Sequence, residues 1–350
     1  VASDMTVIDG LMKYGVSLED ARDYNIIGCV EPQTPHKTEG WHDAAFFNMV
    51  RPLELVFSNG VDKGEQIGPR TGEVEEFDTF EKFFDAYDKQ MDFFVKCLVN
   101  SINSIDYAHA ERVPLPYESA MVDDCIGRGK PLQQGGAIYN FSGPQGFGIA
   151  NMTDGLWAIK TLVYEENKYT LCDFKDAMEN NWGEDMDDHY AEDMDSHMAT
   201  KLTKQVMKEY AKQGKEITDQ LVEETYKAIK LNRCDSAKKE QYKALKADIE
   251  ALPKYGNDIE EVDSFARITT YIYTRKLDQY KNPRNGIFQA GLYPVSANVL
   301  LGSQTGASPD ARIAYSPVAD GVSPAASRSV AAPGGRAAHE QGREGGADAA

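Results

Sequence analysis

Apolar positions recur along most of this chain at helical spacing and gather in a few places into short runs. The strongest periodic stretch covers 78–104, where Phe80, Phe83, Phe84, Tyr87, Met91, Phe94, Val95 and Leu98 return at steps of three and four. On a helix this spacing forms one continuous apolar stripe, which predicts packing against a core rather than a cofactor surface. Asp78 with Glu81 reads as its N-terminal cap. Residues 7–24 read as helical, with Ser17, Leu18, Glu19 and Asp20 as a capping box opening a short helix. Asn25, Ile26 and Ile27 predict a short buried strand that ends at Cys29. Residues 44–57 mix helix-like spacing with buried apolar character, 131–155 are glycine-rich and read as loop, and 157–166 read as another buried segment.

Composition divides the chain further. Residues 176–195 are strongly acidic and 198–252 are lysine-rich and helical, so 176–252 reads as an inserted, charged helical arm. The expected organisation is therefore 1–175, the arm at 176–252, a return to the main domain over 253–326, and 327–350. That last segment is dominated by Ala, Gly and Arg without apolar periodicity, and reads as a disordered or frameshifted tail. Hydrophobic residues are 41% of 350, enough for a substantial core. The net charge of −19 argues against nucleic acid or an anionic membrane as partner, because both attract basic surfaces. It suits a small neutral ligand. No run of apolar residues is long enough to span a bilayer. Five cysteines, an odd number with no Cys-x-x-Cys spacing, point to a reducing cytoplasm and away from a disulfide framework or a cysteine metal site. The acidic segment around His189 and His197 lacks the spacing of a calcium loop, so no metal is expected.

The candidate chemistry lies in Gly28-Cys29-Val30-Glu31-Pro32. Pro32 drives Glu31 into the extended region. In an extended segment residues i and i+2 point the same way, which would set the Cys29 thiol beside the Glu31 carboxylate. Trp41, His42 and Asp43 follow in the same titratable-rich stretch, and such density favours a site. His42 could relay a proton or serve as a hydrogen-bonded scaffold. His36 is expected to be exposed, and His109 to anchor a helix end.

The strings GCVEPQTPHKTEGWHDAAFFN (28–48), HAERVPLP (109–116), GGAIYNFSGPQGFG (135–148), KYGND (254–258) and GLYP (291–294) resemble the glycyl radical enzymes, the pyruvate formate-lyase-like family. Within it the chain looks closest to the glycerol and propanediol dehydratases. The resemblance implies an α/β fold, part of a ten-stranded β/α barrel, with the arm as an insertion. It implies a lyase that eliminates water from a 1,2-diol such as propane-1,2-diol or glycerol. Cys29 would carry a thiyl radical, Glu31 would act as general base, and Asp43 and Tyr293 would bind substrate. No metal or organic cofactor is implied. The radical would be stored on a glycine and installed by an S-adenosylmethionine-dependent, iron–sulfur activating enzyme. The family's Arg-Val-x-Gly-Tyr loop is not found in the sequence, so the chain reads as a fragment without the N-terminal half or the radical store, inactive alone. A homodimer of the full-length protein and a cytoplasmic location, with a bacterial microcompartment left open, complete the expectation. The alternatives are a carbon–sulfur lyase of the isethionate type and a non-catalytic relic or interaction module.

Overall fold

The structure, a computed structural model, describes residues 3–28, 30–184 and 236–325, with isolated positions between 207 and 225. The apolar stripe is a helix of 33 residues, Phe80–Arg112. Phe83, Tyr87, Met91, Val95, Val99 and Ile102 form its buried edge, and Phe80, Phe84, Phe94 and Leu98 pack partly buried beside it. Helices Val50–Phe57 and Glu260–Leu277 lie against it. Its cap is Thr79, not Asp78: the Thr79 hydroxyl accepts the Lys82 N–H at 3.3 Å, while Asp78 pairs with the Lys82 ammonium at 2.8 Å. A hydroxyl immediately before the first helical residue reaches the free N–H groups of the first turn, and this position decides the cap. The 7–24 segment is two helices, Asp4–Lys13 and Leu18–Arg22, the second opened by the Ser17 hydroxyl accepting the Asp20 N–H at 3.1 Å. His109 sits in the last turn of the long helix with its ring 5.3 Å from that of Trp41.

Eight short strands occur among the described residues: β1 Asn25–Ile27, β2 Glu31–Gln33, β3 Thr38–Glu39, β4 His42–Asn48, β5 Val61–Asp62, β6 Glu65–Gln66, β7 Tyr139–Asn140 and β8 Gly143–Phe147. They pair two by two: β1 with β2 and β5 with β6 antiparallel, β3 with β7 and β4 with β8 parallel. Parallel bridges from Ser142 to Phe288 and from Gln145 to Gly291 lay a third extended segment along the far side of β8. The fold is mixed α/β.

Three expectations are corrected. β1 is exposed along its length, with Ile26 52% accessible, and is not a buried strand. It does not run on into Glu31; Gly28 and Val30 lie in a turn, and Ile27 pairs back on Glu31. The glycine-rich stretch 131–155 contains β8, buried at every position, and the helix Ile149–Ile159. Glycine is a poor strand former in isolation, but its missing side chain admits β4 and its histidine at close range, and tertiary packing prevails.

The boundary expected at 175/176 falls inside the helix Leu171–Glu179. Trp182 is fully buried, its indole donating to the Arg312 carbonyl at 3.1 Å. Tyr242, Leu245 and Ile249 of the helix Ser236–Ala251 join the same core. Both flanks of the arm are thus built into the main body. Most of its interior, and the tail at 327–350, lie outside the described residues. Among the described residues no helix is long and apolar enough to cross a membrane.

One buried cation ties these parts together. Arg284, 4% exposed, donates to Asp106 on the long helix at 3.0 Å. It also donates to the Glu39 carbonyl of β3 at 3.1 Å and the Phe141 carbonyl, between β7 and β8, at 2.7 Å. Replacing it with an apolar residue strands the 3%-exposed Asp106 carboxylate. Arg284→Met is therefore expected to lower unfolding free energy by about 3–5 kcal/mol. Denaturant titration checks this; a loss below about 1 kcal/mol, the scale of an exposed pair, would contradict the assignment.

Candidate active site

The short hairpin of β1 and β2 delivers Glu31. The residue is 1% exposed, and its Oε2 accepts the Val30 N–H at 2.9 Å. Gly28, with φ +60°, makes the turn possible; a Cβ there would stand 2.8 Å from Glu31 Oε2. Backbone conformation and close approach both require glycine at this position. Cys29 lies outside the described residues.

A defect in strand pairing delivers Asp43. The β4–β8 register runs His42 opposite Gly143 and then Ala45 opposite Pro144, so Asp43 and Ala44 bulge from β4. Asp43 has φ +57°, in the left-handed region that Asp tolerates better than most residues. A bulge re-aims a side chain, here toward the neighbouring strand. Gln145 on β8 receives it. Its Nε2 donates to Asp43 Oδ1 and, at 3.1 Å, to Glu31 Oε1. One carboxamide thus bridges a buried carboxylate and an exposed one. Loss of part of its water shell and the neighbouring Glu31 charge push the Asp43 carboxyl above its ordinary range, and the Gln145 hydrogen bond opposes them.

His42 precedes Asp43 on β4 and faces Gly143, where a Cβ would stand 2.9 Å from its Nδ1. Burial lowers its basicity while the Glu31 charge raises it, with burial prevailing. Its Nε2 is buried without a hydrogen-bond partner. Tyr293 is half-buried two residues beyond Gly291, and burial with the Glu31 charge raises its phenol. Glu31 and Asp43 therefore converge on one donor, and His42 and Tyr293 both feel the Glu31 charge.

The sequence reading missed Gln145. Its signal was present: one amide in an otherwise apolar and glycine run, Gly143-Pro144-Gln145-Gly146-Phe147. Reading the segment as loop concealed that a strand would point the amide into the site. The strand itself is held from behind by Tyr273, which is stacked on Phe47 at 5.2 Å and donates to the Pro144 carbonyl at 3.2 Å.

Two carboxylates on one amide, with Gly28 against Glu31 and Gly291 against Gln145, suit a small ligand with neighbouring hydroxyls. Either carboxylate can accept a hydroxyl hydrogen bond, and the buried one can accept a proton.

A family model described as pyruvate formate lyase-like matches residues 1–302. A solved structure concerned with 1,2-propanediol dehydration in Roseburia inulinivorans is 52% identical with a TM-score of 0.84, covering 92% of this chain and 38% of its own. The glycerol-bound form of the B12-independent glycerol dehydratase from Clostridium butyricum is 45% identical with a TM-score of 0.73, covering 92% of this chain and 34% of its own. Among curated proteins, the (2S)-3-sulfopropanediol dehydratase of Klebsiella oxytoca is 33% identical over 324 residues, 92% of this chain and 33% of that protein. This chain spans about a third of the length of the curated relatives it matches.

The turn at Gly28 gives a direct check. Gly28→Ala meets both a left-handed backbone and the Glu31 carboxylate, whereas Gly15→Ala, at φ +89° with nothing within 4 Å, meets only the backbone. Denaturant unfolding is expected to show a cost of about 1–2 kcal/mol for Gly15→Ala and a larger one for Gly28→Ala. Equal costs would show that Glu31 does not rest against Gly28.

Proposed function

The chain belongs to the pyruvate formate lyase-like family, and on that premise we propose that it forms part of a glycyl radical lyase that eliminates water from a 1,2-diol. The observation that carries the reading is the Gln145 bridge between Glu31 and Asp43, which offers two acceptors side by side for two adjacent hydroxyls. Likeness to proteins of propanediol and glycerol dehydration, at 52% and 45% identity, supports it. The α/β arrangement, with β4, β8 and the segment bridged to β8 all parallel, is read as a sector of a ten-stranded β/α barrel.

In this reading a glycyl radical, installed by a radical S-adenosylmethionine activating enzyme, supplies the unpaired electron that reaches Cys29. Cys29 takes a hydrogen atom from the carbinol carbon, becoming a thiol. Glu31, two residues on, takes the proton of that carbon's hydroxyl. Asp43 and Tyr293 hold the neighbouring hydroxyl. The ketyl so formed expels that group, which leaves as water with the proton that Glu31 took, so the carboxylate is restored. Cys29 then returns its hydrogen atom to the carbon skeleton, and the product is an aldehyde. Propane-1,2-diol gives propanal and water. Burial of Glu31 keeps bulk water from the radical stage. His42, its basicity lowered by burial, serves as a neutral scaffold or proton relay beside Asp43.

A sulfonate substrate would call for a guanidinium or ammonium partner. The stretch from Gly291 to Gly302, which carries Tyr293, contains no Lys or Arg, and this favours the neutral diol.

The test is turnover by the intact, anaerobically activated protein, with propane-1,2-diol, glycerol and isethionate compared. Propanal from propanediol is expected, and Glu31→Gln should lower kcat by about 10²–10⁴-fold, the range of a positioned general base. Acetaldehyde and sulfite from isethionate, or undiminished turnover in Glu31→Gln, would overturn the reading.

A further inference from the structure

We propose that Gln145 is the positioning residue of this site: its single carboxamide fixes the spacing of Glu31 and Asp43 and holds both in the ionised form. The inference deepens the proposed function, since it rests on Glu31 acting as base. Three observations lead to it.

The first is connectivity. Gln145 is 1% exposed and donates from one nitrogen to both carboxylates. The amide has only two N–H groups, and both are committed to anionic acceptors. The second is orientation. Two carboxylates on one side require the Nε2 there, so Oε1 must face away. It does, and it is buried without a hydrogen-bond partner. A buried acceptor without a partner is normally avoided. Its presence shows that the contacts to the two carboxylates decide how the amide is set, because charge-assisted hydrogen bonds are the stronger kind. The third is backing. Gln145 opposes Phe46 across the β4–β8 ladder and bridges Gly291 on its other side. A Cβ at position 291 would stand 3.1 Å from Gln145 Cγ, so the side chain is walled in by the neighbouring segment.

The electrostatic consequence has a definite sign. Two carboxylates so close disfavour each other's charge, and burial disfavours it further; a shared N–H donor favours the charged form of both. Among the described residues the titratable groups facing the pair are His42, beside Asp43 on β4, and Tyr293, on the segment that Gly291 joins to β8. Burial keeps His42 from charging readily, and a phenol brings no positive charge. Without the amide, the carboxylates should bind protons more tightly. The base would then become available only at higher pH.

The experiment compares the intact wild-type protein with Gln145→Met, which keeps the length and removes both donors. Isotope-edited infrared titration follows the carboxylates, with Glu31→Gln and Asp43→Asn assigning the bands. The expected result is an upward shift of both midpoints by about one pH unit, a tenfold gain in proton affinity. The acidic limb of kcat/KM for propane-1,2-diol should move by the same amount, with kcat largely recovered at high pH. A merely structural role would lower activity without moving that limb. Unmoved midpoints would overturn the proposal whatever the activity. Moved midpoints in a protein whose wild type never turns over a diol would support the positioning role and sink the dehydratase reading instead. If Gln145→Met does not fold, the wild-type protein decides. With glutamine side chains labelled, the Gln145 amide band should respond at the titration midpoint of each carboxylate, and an amide that ignores both would overturn the proposal.

Discussion

The site depends on one constraint, the parallel pairing of β4 with β8 and the bulge that interrupts it. Side chains on a strand alternate in direction, so a slip of one residue would send Gln145 to the other face. In the observed register it stands opposite Phe46 with its amide toward Asp43 and Glu31. The bulge at Asp43 and Ala44 supplies the remaining turn, because a regular β4 would leave Asp43 on a path its φ of +57° departs from. Much of the rest serves to hold this ladder. Tyr273 braces the Pro144 carbonyl, and Arg284 gathers the Glu39 carbonyl of β3 and the Phe141 carbonyl between β7 and β8 while anchored to Asp106 of the long helix.

The electrostatics follow from the same placement. Glu31 is enclosed and Asp43 open, so the two acceptors differ in character although one donor serves both. Neutral His42, packed on Gly143, adds shape and polarity without a competing charge.

Much of this was legible in the sequence, and what was not has identifiable causes. The 33-residue helix announced itself, because a stripe repeated at three and four residues over many turns has one natural explanation. Its cap was misread by one position, since Asp78 and Thr79 are both good capping residues and only geometry separates them. β1 was found but its burial was not, because an Asn-Ile-Ile run states apolarity without stating what covers it. β8 escaped altogether: Gly143, Pro144 and Gly146 have low strand propensity, and their burial comes from partners far away in the chain. Glu31, His42, Asp43 and Tyr293 were picked out through family resemblance and local density of titratable groups. Gln145 was not, because a lone amide carries no signature until a fold sets it between two acids.

In the proposed function the paired carboxylates on the Gln145 amide are where a 1,2-diol sits. The most direct measurement is the structure of the intact protein carrying Cys29→Ser with propane-1,2-diol bound. The account predicts one hydroxyl within hydrogen-bonding distance of Glu31, the other on Asp43, and the amide still spanning both acids. A diol lodged away from the two carboxylates, or an amide turned from them, would contradict it.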